Sequence, residues 1–238
     1  MHPLVNSPDS AFIRAHTRLS PAPHVPEVCL HLADDAIALW ETTEEELRRG
    51  EQPPPFWAFA WAGGQALARY VLDHPDLVSG RTVFDLAAGS GLVAIAAAKA
   101  GAAAVTANEI DPLAVAAIAA NAEANDVEVT AVLDDVLAGD ADGAEVVLAG
   151  DVFYSKSMTD QVLPFLRRAA GRGALVLIGD PGRAYLPHGQ LEPVAVHDVP
   201  VMRSLENADI KTTTVWKVPR DRRPPAGPMD PAGDAVTA

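Results

Sequence analysis

The sequence predicts an α/β fold, built as a Rossmann-like, doubly wound and mostly parallel sheet of seven strands. Short apolar segments alternate with helix-length segments through the middle of the chain, which is typical of βαβ units with right-handed crossovers. The predicted strands lie near residues 82–86, 103–109, 127–133, 145–150 and 174–179, and helices are expected near 91–100, 112–125 and 157–170. Two further strands, near 194–199 and 211–218, would complete the sheet as an antiparallel hairpin.

The two ends of the chain differ from this core. We assign residues 1–55 to an N-terminal accessory segment, 56–218 to the α/β domain and 219–238 to a disordered tail that is rich in proline and poor in apolar residues. The accessory segment contains a short helix near Ser10–Arg18, prolines that break the pattern, and a charged, helix-like run from Glu41 to Arg49. Covering the pocket is its simpler expected role, and recognition of a substrate is the alternative.

Composition limits the possible partners. The chain has 238 residues, 49% of them hydrophobic, which is enough for one core, and its formal net charge is −14. An acidic protein is a poor match for nucleic acid and would attract a basic partner, such as a lysine-rich protein loop. The single cysteine, Cys29, cannot form an internal disulfide, and neither a secretory signal nor a membrane-spanning segment is recognisable. We therefore expect a cytoplasmic monomer without membrane or nucleic-acid partners.

A glycine-containing turn follows the first strand of the core. The strand carries Asp85, and Gly89 and Gly91 precede an Ala-rich helix. Dinucleotide-binding strands stay apolar up to their first glycine and need a third small position for the pyrophosphate. A carboxylate at Asp85 instead suits a cofactor that carries positive charge, and S-adenosylmethionine has both an ammonium and a sulfonium. The turn therefore predicts a methyltransferase, with glycines that let the backbone approach the methionyl part closely.

Acidic residues end four successive predicted strands: Asp85, Glu109, Asp135 and Asp151. The carboxyl ends of parallel strands meet at one edge of the sheet, where ligands bind. We expect Asp85 to hold the cofactor's ammonium, directly or through water. Glu109 lies about 20 residues after Gly89, where a carboxylate takes the ribose hydroxyls. Asp135, or its neighbour Asp134, is a candidate for the adenine amino group, although either residue can simply begin a turn.

The methyl acceptor is expected beside Gly150–Tyr154, after the fourth strand. Adenine methyltransferases carry paired prolines there, whereas Asp151-x-x-Tyr154 resembles the pattern of seven-strand lysine methyltransferases. A lysine amine attacks only when neutral, and its deprotonation at pH 7 costs roughly 4–5 kcal/mol. A carboxylate beside the amine opposes this deprotonation, so we assign Asp151 to orienting the amine rather than to base catalysis. Tyr154 is expected to form one wall of a lysine channel. The alternative makes Tyr154 a core aromatic and Asp151 a helix cap.

Two further segments are candidates for substrate and cofactor contacts. Trp57 and Trp61 lie four residues apart and can share a helical face, with Trp61 as the preferred cofactor contact because it adjoins Gly63 and Gly64. Asp180 and Arg183 end the fifth strand and are expected to shape the acceptor pocket, with a plain Pro-Gly turn as the alternative. Asp111, before a proline, is expected to cap a helix. The histidine spacing indicates no metal site.

Several of these segments together resemble one family, the electron transfer flavoprotein beta-subunit lysine methyltransferases of the seven-strand class I group. The matching segments are Phe56–Tyr70, Ala107–Pro112, Gly150–Tyr154, Ile178–Arg183 and Thr213–Trp216. The resemblance implies an S-adenosylmethionine-dependent enzyme that trimethylates lysines beside the recognition loop of that flavoprotein. It implies functional roles for seven residues: Trp61, Gly89, Gly91, Glu109, Gly150, Asp151 and Tyr154.

The chain departs from the family pattern at two places. Ala87 and Ala88 stand where many relatives have glycine or serine, and Glu109 replaces the commoner aspartate. Four alternatives share parts of the pattern: a methyltransferase of ribosomal protein, a methyltransferase of a small amine such as nicotinamide, an NAD-dependent oxidoreductase, and a non-catalytic cofactor-binding module. Asp85 and the missing third glycine argue against the oxidoreductase.

Overall fold

The structure is a computed structural model that describes residues 8–33, 54–141 and 143–220. The predicted helix-like run Glu41–Arg49, the start of the proline connector and nearly all of the C-terminal tail lie outside these residues.

The core is the predicted seven-stranded sheet. Its strands are β3 (Thr82–Leu86), β4 (Ala104–Glu109), β5 (Thr130–Leu133), β6 (Val146–Gly150), β7 (Leu175–Asp180), β8 (Glu192–Pro200) and β9 (Ile210–Lys217). They are arranged in the order β5-β4-β3-β6-β7-β9-β8; β3 to β7 are parallel, and β9 is antiparallel to both of its neighbours. The chain order reverses between β3 and β6, so the expected ligand crevice lies at the carboxyl ends of these two strands.

Helices cover both faces of the sheet. They are α1 (Pro8–His16), α2 (Ala62–Asp73), α3 (Leu92–Lys99), α4 (Pro112–Ala124), α5 (Lys156–Gly171) and the single turn α6 (Arg203–Glu206), with 3-10 turns at Phe56–Ala58, Pro75–Leu77 and His188–Gln190. The Asp111 side chain accepts a hydrogen bond from the Leu113 N–H and caps α4, as predicted. Apolar side chains of α2 and α3 share one core with the inner strands, and those of α5 form a second core on the opposite face. Among the described residues, no helix has the length and apolar character to cross a bilayer.

The accessory segment contains a β-hairpin that the sequence analysis did not predict. Strands β1 (Arg18–Ala22) and β2 (Val25–Leu32) pair antiparallel at the place where prolines suggested an interruption. Side-chain amides of α4 hydrogen-bond the backbone of β2: Asn125 bonds both the N–H and the carbonyl of Cys29, and Asn121 accepts from the N–H of His31. Asn121 also donates to the carbonyl of Ser90, which joins the hairpin to the glycine turn.

Helix α2 lies so close to the sheet that Gly63, in its first turn, has no room for a side chain. A Cβ atom on Gly63 would lie 2.6 Å from Asp151 Oδ2 and closer still to the carbonyl oxygen of Gly179. A Cβ atom on Gly150 would lie 2.9 Å from the backbone nitrogen of Gly64. The N–H of Gly64, at the start of α2, therefore reaches the predicted site residue Asp151, directly after β6.

Candidate active site

A cavity of about 460 Å³ opens at the carboxyl edge of the parallel strands. Eight of the predicted site residues line it: Trp57, Trp61, Gly89, Glu109, Gly150, Asp151, Tyr154 and Arg183. Further lining comes from residues that the sequence analysis did not select, including Phe56, Ile110 and Met158. Asp85 lies on a smaller pocket of about 50 Å³ that shares Trp61, Gly89 and Asp151 with the main cavity.

The glycine turn forms one side of the cavity in a left-handed backbone conformation. The φ angles are 51° at Ala87, 54° at Gly89 and 78° at Gly91. A Cβ atom on Gly89 would meet no other atom within 4 Å, so a side chain there would project into open space beside the cavity. A Cβ atom on Gly91 would instead press on Ile118 at 3.2 Å. Gly89 thus keeps the cavity open, and Gly91 lets α3 start against α4.

Asp85 is a fully buried carboxylate with one oxygen unused. Its Oδ2 accepts a hydrogen bond of 2.9 Å from the Ala94 N–H, whereas Oδ1 lacks a partner among the described residues. Burial raises the pKa of Asp85 to about 8, and the charge of Glu109 adds to this effect. The carboxyl group is therefore largely protonated at neutral pH, and a neighbouring cation would favour its ionised form.

Glu109 sits where the end of β4 meets the glycine turn. Its Oε1 accepts from the Gly89 N–H at 2.7 Å and its Oε2 accepts from the Ile110 N–H at 3.0 Å. Burial raises the pKa of Glu109 despite these two hydrogen bonds. Each oxygen keeps a lone pair for a further donor, so the carboxylate can still take a diol from the cavity.

Asp135 lies outside the set of predicted residues that line the cavity. It is exposed, does not line the cavity, and its Oδ1 accepts from the Leu137 N–H within its own turn. Asp134 is also exposed, and its backbone carbonyl accepts from the Asn108 side chain. The position of both residues fits the turn-forming alternative better than the predicted contact with adenine.

Asp151 is held in one orientation from two sides. Its backbone is left-handed, with φ of 57°, a conformation that aspartate tolerates better than most residues. Oδ2 accepts from the Gly64 N–H at 2.9 Å, and Oδ1 accepts from Arg183 Nε at 3.1 Å and Nη2 at 2.7 Å. Burial raises the pKa of Asp151 to about 6, against the opposing effect of Arg183. The carboxylate is therefore mostly ionised at neutral pH.

Aromatic rings form the outer wall of the cavity. Tyr154 is 50% exposed, and its ring centre lies 5.8 Å from that of Phe56. Trp61 donates from Nε1 to the Phe56 carbonyl, whereas Trp57 is buried. The prediction that the two tryptophans share a helical face is wrong, because Trp57 lies in a 3-10 turn and Trp61 precedes α2 in an extended conformation.

The segment after β7 contributes one of its two predicted side chains. Arg183 lines the cavity and lies over the Trp61 ring at 5.6 Å. Asp180 is buried outside the lining, and its Oδ1 accepts from the backbone N–H groups of Gly182 and Arg183, both at 2.7 Å. Asp180 does not line the cavity but builds the turn that presents Arg183, which fits the turn-forming alternative.

Two supporting residues were missed by the sequence analysis. Buried Gln65 donates to the carbonyls of Ala60 and Pro200 and accepts from the His24 N–H, so it ties the hairpin and β8 to the start of α2. The motif Trp61-x-Gly-Gly-Gln65 was the available signal for it. Buried Glu206 pairs with Arg183 and had no local signal, because it comes from the distant β8–β9 connection.

These features fit S-adenosylmethionine. The open space at Gly89 admits the ligand beside the backbone, and the unused oxygen of Asp85 suits an ammonium group. Glu109 offers lone pairs to a ribose diol on the same side of the cavity. Asp151 and the aromatic wall line the same cavity and remain available for the methyl acceptor.

Comparison with known proteins gives the same assignment. Residues 65–153 match the family model described as Ribosomal protein L11 methyltransferase (PrmA). The electron transfer flavoprotein beta subunit lysine methyltransferase of Xenopus laevis is 37% identical over 212 residues, covering 87% of this chain and 85% of the relative. The Homo sapiens protein of the same name is 35% identical over 213 residues, covering 87% and 80%.

Among solved structures, a provisionally assigned RNA methyltransferase from Pyrococcus horikoshii shares the fold. Its TM-score is 0.53 at 17% identity, covering 75% of this chain and 98% of that one. The sequence relatives extend well beyond the cofactor half, through the acceptor side of the cavity. The chain therefore belongs to the electron transfer flavoprotein beta subunit lysine methyltransferase family and is an S-adenosylmethionine-dependent methyltransferase.

Proposed function

We propose that this enzyme methylates lysine side chains of the electron transfer flavoprotein beta subunit. The observation that carries the proposal is the extent of the match to proteins of that name, 37% identity over 87% of the chain. The ribosomal protein L11 methyltransferase model ends at residue 153, before Tyr154 and Arg183. The match to that model therefore includes Asp151 but leaves out Tyr154 and Arg183, whereas the longer match to the flavoprotein enzymes covers 87% of the chain.

The acceptor side suits an amine. When bound, S-adenosylmethionine supplies an electrophilic methyl group on a sulfonium. Asp151 is ionised above about pH 6, and it keeps lone pairs that can accept an N–H from a lysine amine. The rings of Phe56 and Tyr154 place apolar surface in the same cavity, which favours the neutral amine. Asp151 orients the nucleophile, and the rate gain comes mainly from positioning.

Charge supports a protein substrate that is locally basic. The chain carries a formal net charge of −14, so a lysine-bearing loop is attracted over the whole surface. The lone cysteine also supports our proposal that the enzyme acts in a reducing compartment such as the cytoplasm.

Peptide mapping tests the proposal. The full chain is incubated with purified electron transfer flavoprotein and with S-adenosylmethionine whose methyl group is trideuterated, and ribosomal protein L11 serves as the comparison substrate. We expect the heavy methyl on lysines of the beta subunit and none on L11. Heavy methyl on L11 alone, on residues other than lysine, or on neither protein would overturn the proposal.

A further inference from the structure

Glu206 is a buried carboxylate in an unexpected place. It ends the single turn α6 in the β8–β9 connection, and its side chain is 4% exposed. The chain reverses at Asn207, whose φ is 53°, so Glu206 is held at a fixed corner. An ionised side chain this deep needs a partner, because an unpaired buried charge is strongly unfavourable.

The partner is Arg183, which Glu206 shares with Asp151. Glu206 takes two parallel hydrogen bonds from the guanidinium, from Nη1 at 2.9 Å and from Nη2 at 2.6 Å. Asp151 takes its bonds from Nε and Nη2 of the same group. The bidentate pair with Glu206 fixes the plane of the guanidinium and hence the direction in which it meets Asp151.

The binding of Arg183 by both Glu206 and Asp151 also sets the net charge at the acceptor side of the cavity. Asp151 and Arg183 alone would form a neutral pair, and the guanidinium would repel an approaching lysine ammonium. Glu206 supplies a second negative charge that balances Arg183. The three groups together then carry one net negative charge next to the cavity, which attracts a cationic side chain. Lys211, partly exposed and 3.7 Å from Glu206, offsets part of this charge.

We propose that Glu206 is a positioning residue for the methyl acceptor: it fixes and neutralises Arg183, so that Asp151 faces the lysine amine with its own charge uncancelled. The inference rests on the proposed function for the identity of the acceptor. It concerns a residue that touches neither substrate nor cofactor and acts through Arg183.

The surrounding charges are consistent with this role. Oxygens of Asp151 and Glu206 bond the same nitrogen and so lie within about 5 Å of each other, close enough for the charge of Glu206 to act on Asp151. Burial raises the pKa of Asp151 in spite of its pair with Arg183, and the charge of Asp180 adds to this effect. Among the described residues, the other charged or titratable groups near Asp151, Glu206 or the shared cavity are Asp180, Lys211, Glu109, Asp111, Asp85 and Tyr154.

Glu206→Gln tests the inference by a direct readout on Asp151. The side-chain carboxyl carbon of Asp151 is followed by NMR in full-length protein with 13C-labelled aspartate, and the signal is assigned by its loss in Asp151→Asn. Removing the charge of Glu206 leaves Arg183 to act on Asp151 alone, so the titration midpoint should fall by about one pH unit. The KM for the lysine substrate should rise, while the affinity for S-adenosylmethionine stays at the wild-type value.

Two further variants control the experiment. Asp209→Asn removes one charge from the same connection, but Asp209 pairs with Arg203 on the surface, so midpoint and KM should not change. Lys211 lies 3.7 Å from Glu206 and is partly exposed, so Lys211→Gln should be tolerated by the fold and should move the midpoint the other way, to higher pH.

The outcomes separate the two proposals. An unchanged Asp151 midpoint in Glu206→Gln overturns this inference. If that variant does not fold, a midpoint in Lys211→Gln that is unchanged or lower overturns it instead. Because the NMR titration needs no turnover, a wild-type enzyme that methylates no lysine would contradict the proposed function and leave this test in place.

Discussion

Asp85 and Asp151 are two buried aspartates that differ in their hydrogen-bond partners and in their pKa values. Asp151 is paired with a guanidinium, and its pKa reaches about 6. Asp85 has one backbone N–H as its partner among the described residues, and its pKa reaches about 8. The sequence placed both carboxylates at the sheet edge, but their protonation depends on Arg183 and on burial, which no local pattern encodes.

Asp85 should make the donor-free protein less stable as the pH rises. Its folded-state pKa of about 8 lies above the ordinary value of 3.8, so its contribution to stability is complete below pH 3.8 and is lost as the pH rises through 8. Between about pH 5 and pH 7, this group should lower the unfolding free energy by about 1.4 kcal/mol per pH unit, and the slope should flatten as the pH passes 8. Urea unfolding at several pH values measures this slope.

Asp85→Asn should remove that part of the slope and weaken binding of S-adenosylmethionine. Asp76→Asn is the matched control, because Asp76 is exposed and its loss should leave the slope unchanged. If the unfolding free energy depends on pH equally in the wild type and in Asp85→Asn, the assignment of a protonated, buried carboxyl group is contradicted.

At the level of elements, the start of α2 matters most for the site. Gly63 allows the helix to lie against the ends of β6 and β7, and the N–H of Gly64 then bonds Asp151. The sequence analysis treated Gly63 and Gly64 only as neighbours of Trp61. Their separate roles depend on which sheet residues face each one, and that requires the packed structure.

Gly63→Ala and Gly64→Ala should therefore differ sharply. A Cβ on Gly63 collides with backbone and with Asp151, whereas one on Gly64 has its nearest neighbour, Val93 Cγ2, at 4.0 Å. We expect Gly63→Ala to lower the unfolding free energy by about 3 kcal/mol or more, or to prevent folding. Gly64→Ala should leave it unchanged or raise it by up to about 1 kcal/mol. Chemical denaturation compares the two, and equal stabilities would show that the close approach of α2 is wrong.

The hairpin β1–β2 shows where element prediction failed. Pro21 and Pro26 indicated an interruption, yet both lie in strands of a two-stranded sheet, where a missing N–H is tolerated. The docked position of β2 depends on Asn121 and Asn125 of α4, about ninety residues later in the chain. A local sequence pattern cannot reveal hydrogen bonds between residues that are so far apart in the chain.

For the whole molecule, the alternation of strands and helices and the right-handed crossovers between strands were sufficient to predict the sheet. Once strands and helices alternate with right-handed crossovers, few strand orders remain, and the acidic strand ends Asp85, Glu109 and Asp151 fall beside one pocket system. Asp135 did not join them because its turn bends away into solvent. Glu206 reaches the site only through the fold of the β8–β9 connection, which carries no recognisable motif.

Asp151→Asn, assayed for methyl transfer and for S-adenosylmethionine binding, tests the central claim most directly. Asparagine tolerates the left-handed backbone and can still accept from the Gly64 N–H, so the cavity should remain intact. We predict a fall of about 100-fold or more in kcat/KM for the flavoprotein lysine, with donor affinity close to wild type. A variant that transfers methyl groups at the wild-type rate would contradict the assignment of Asp151 and of this cavity as the place of reaction.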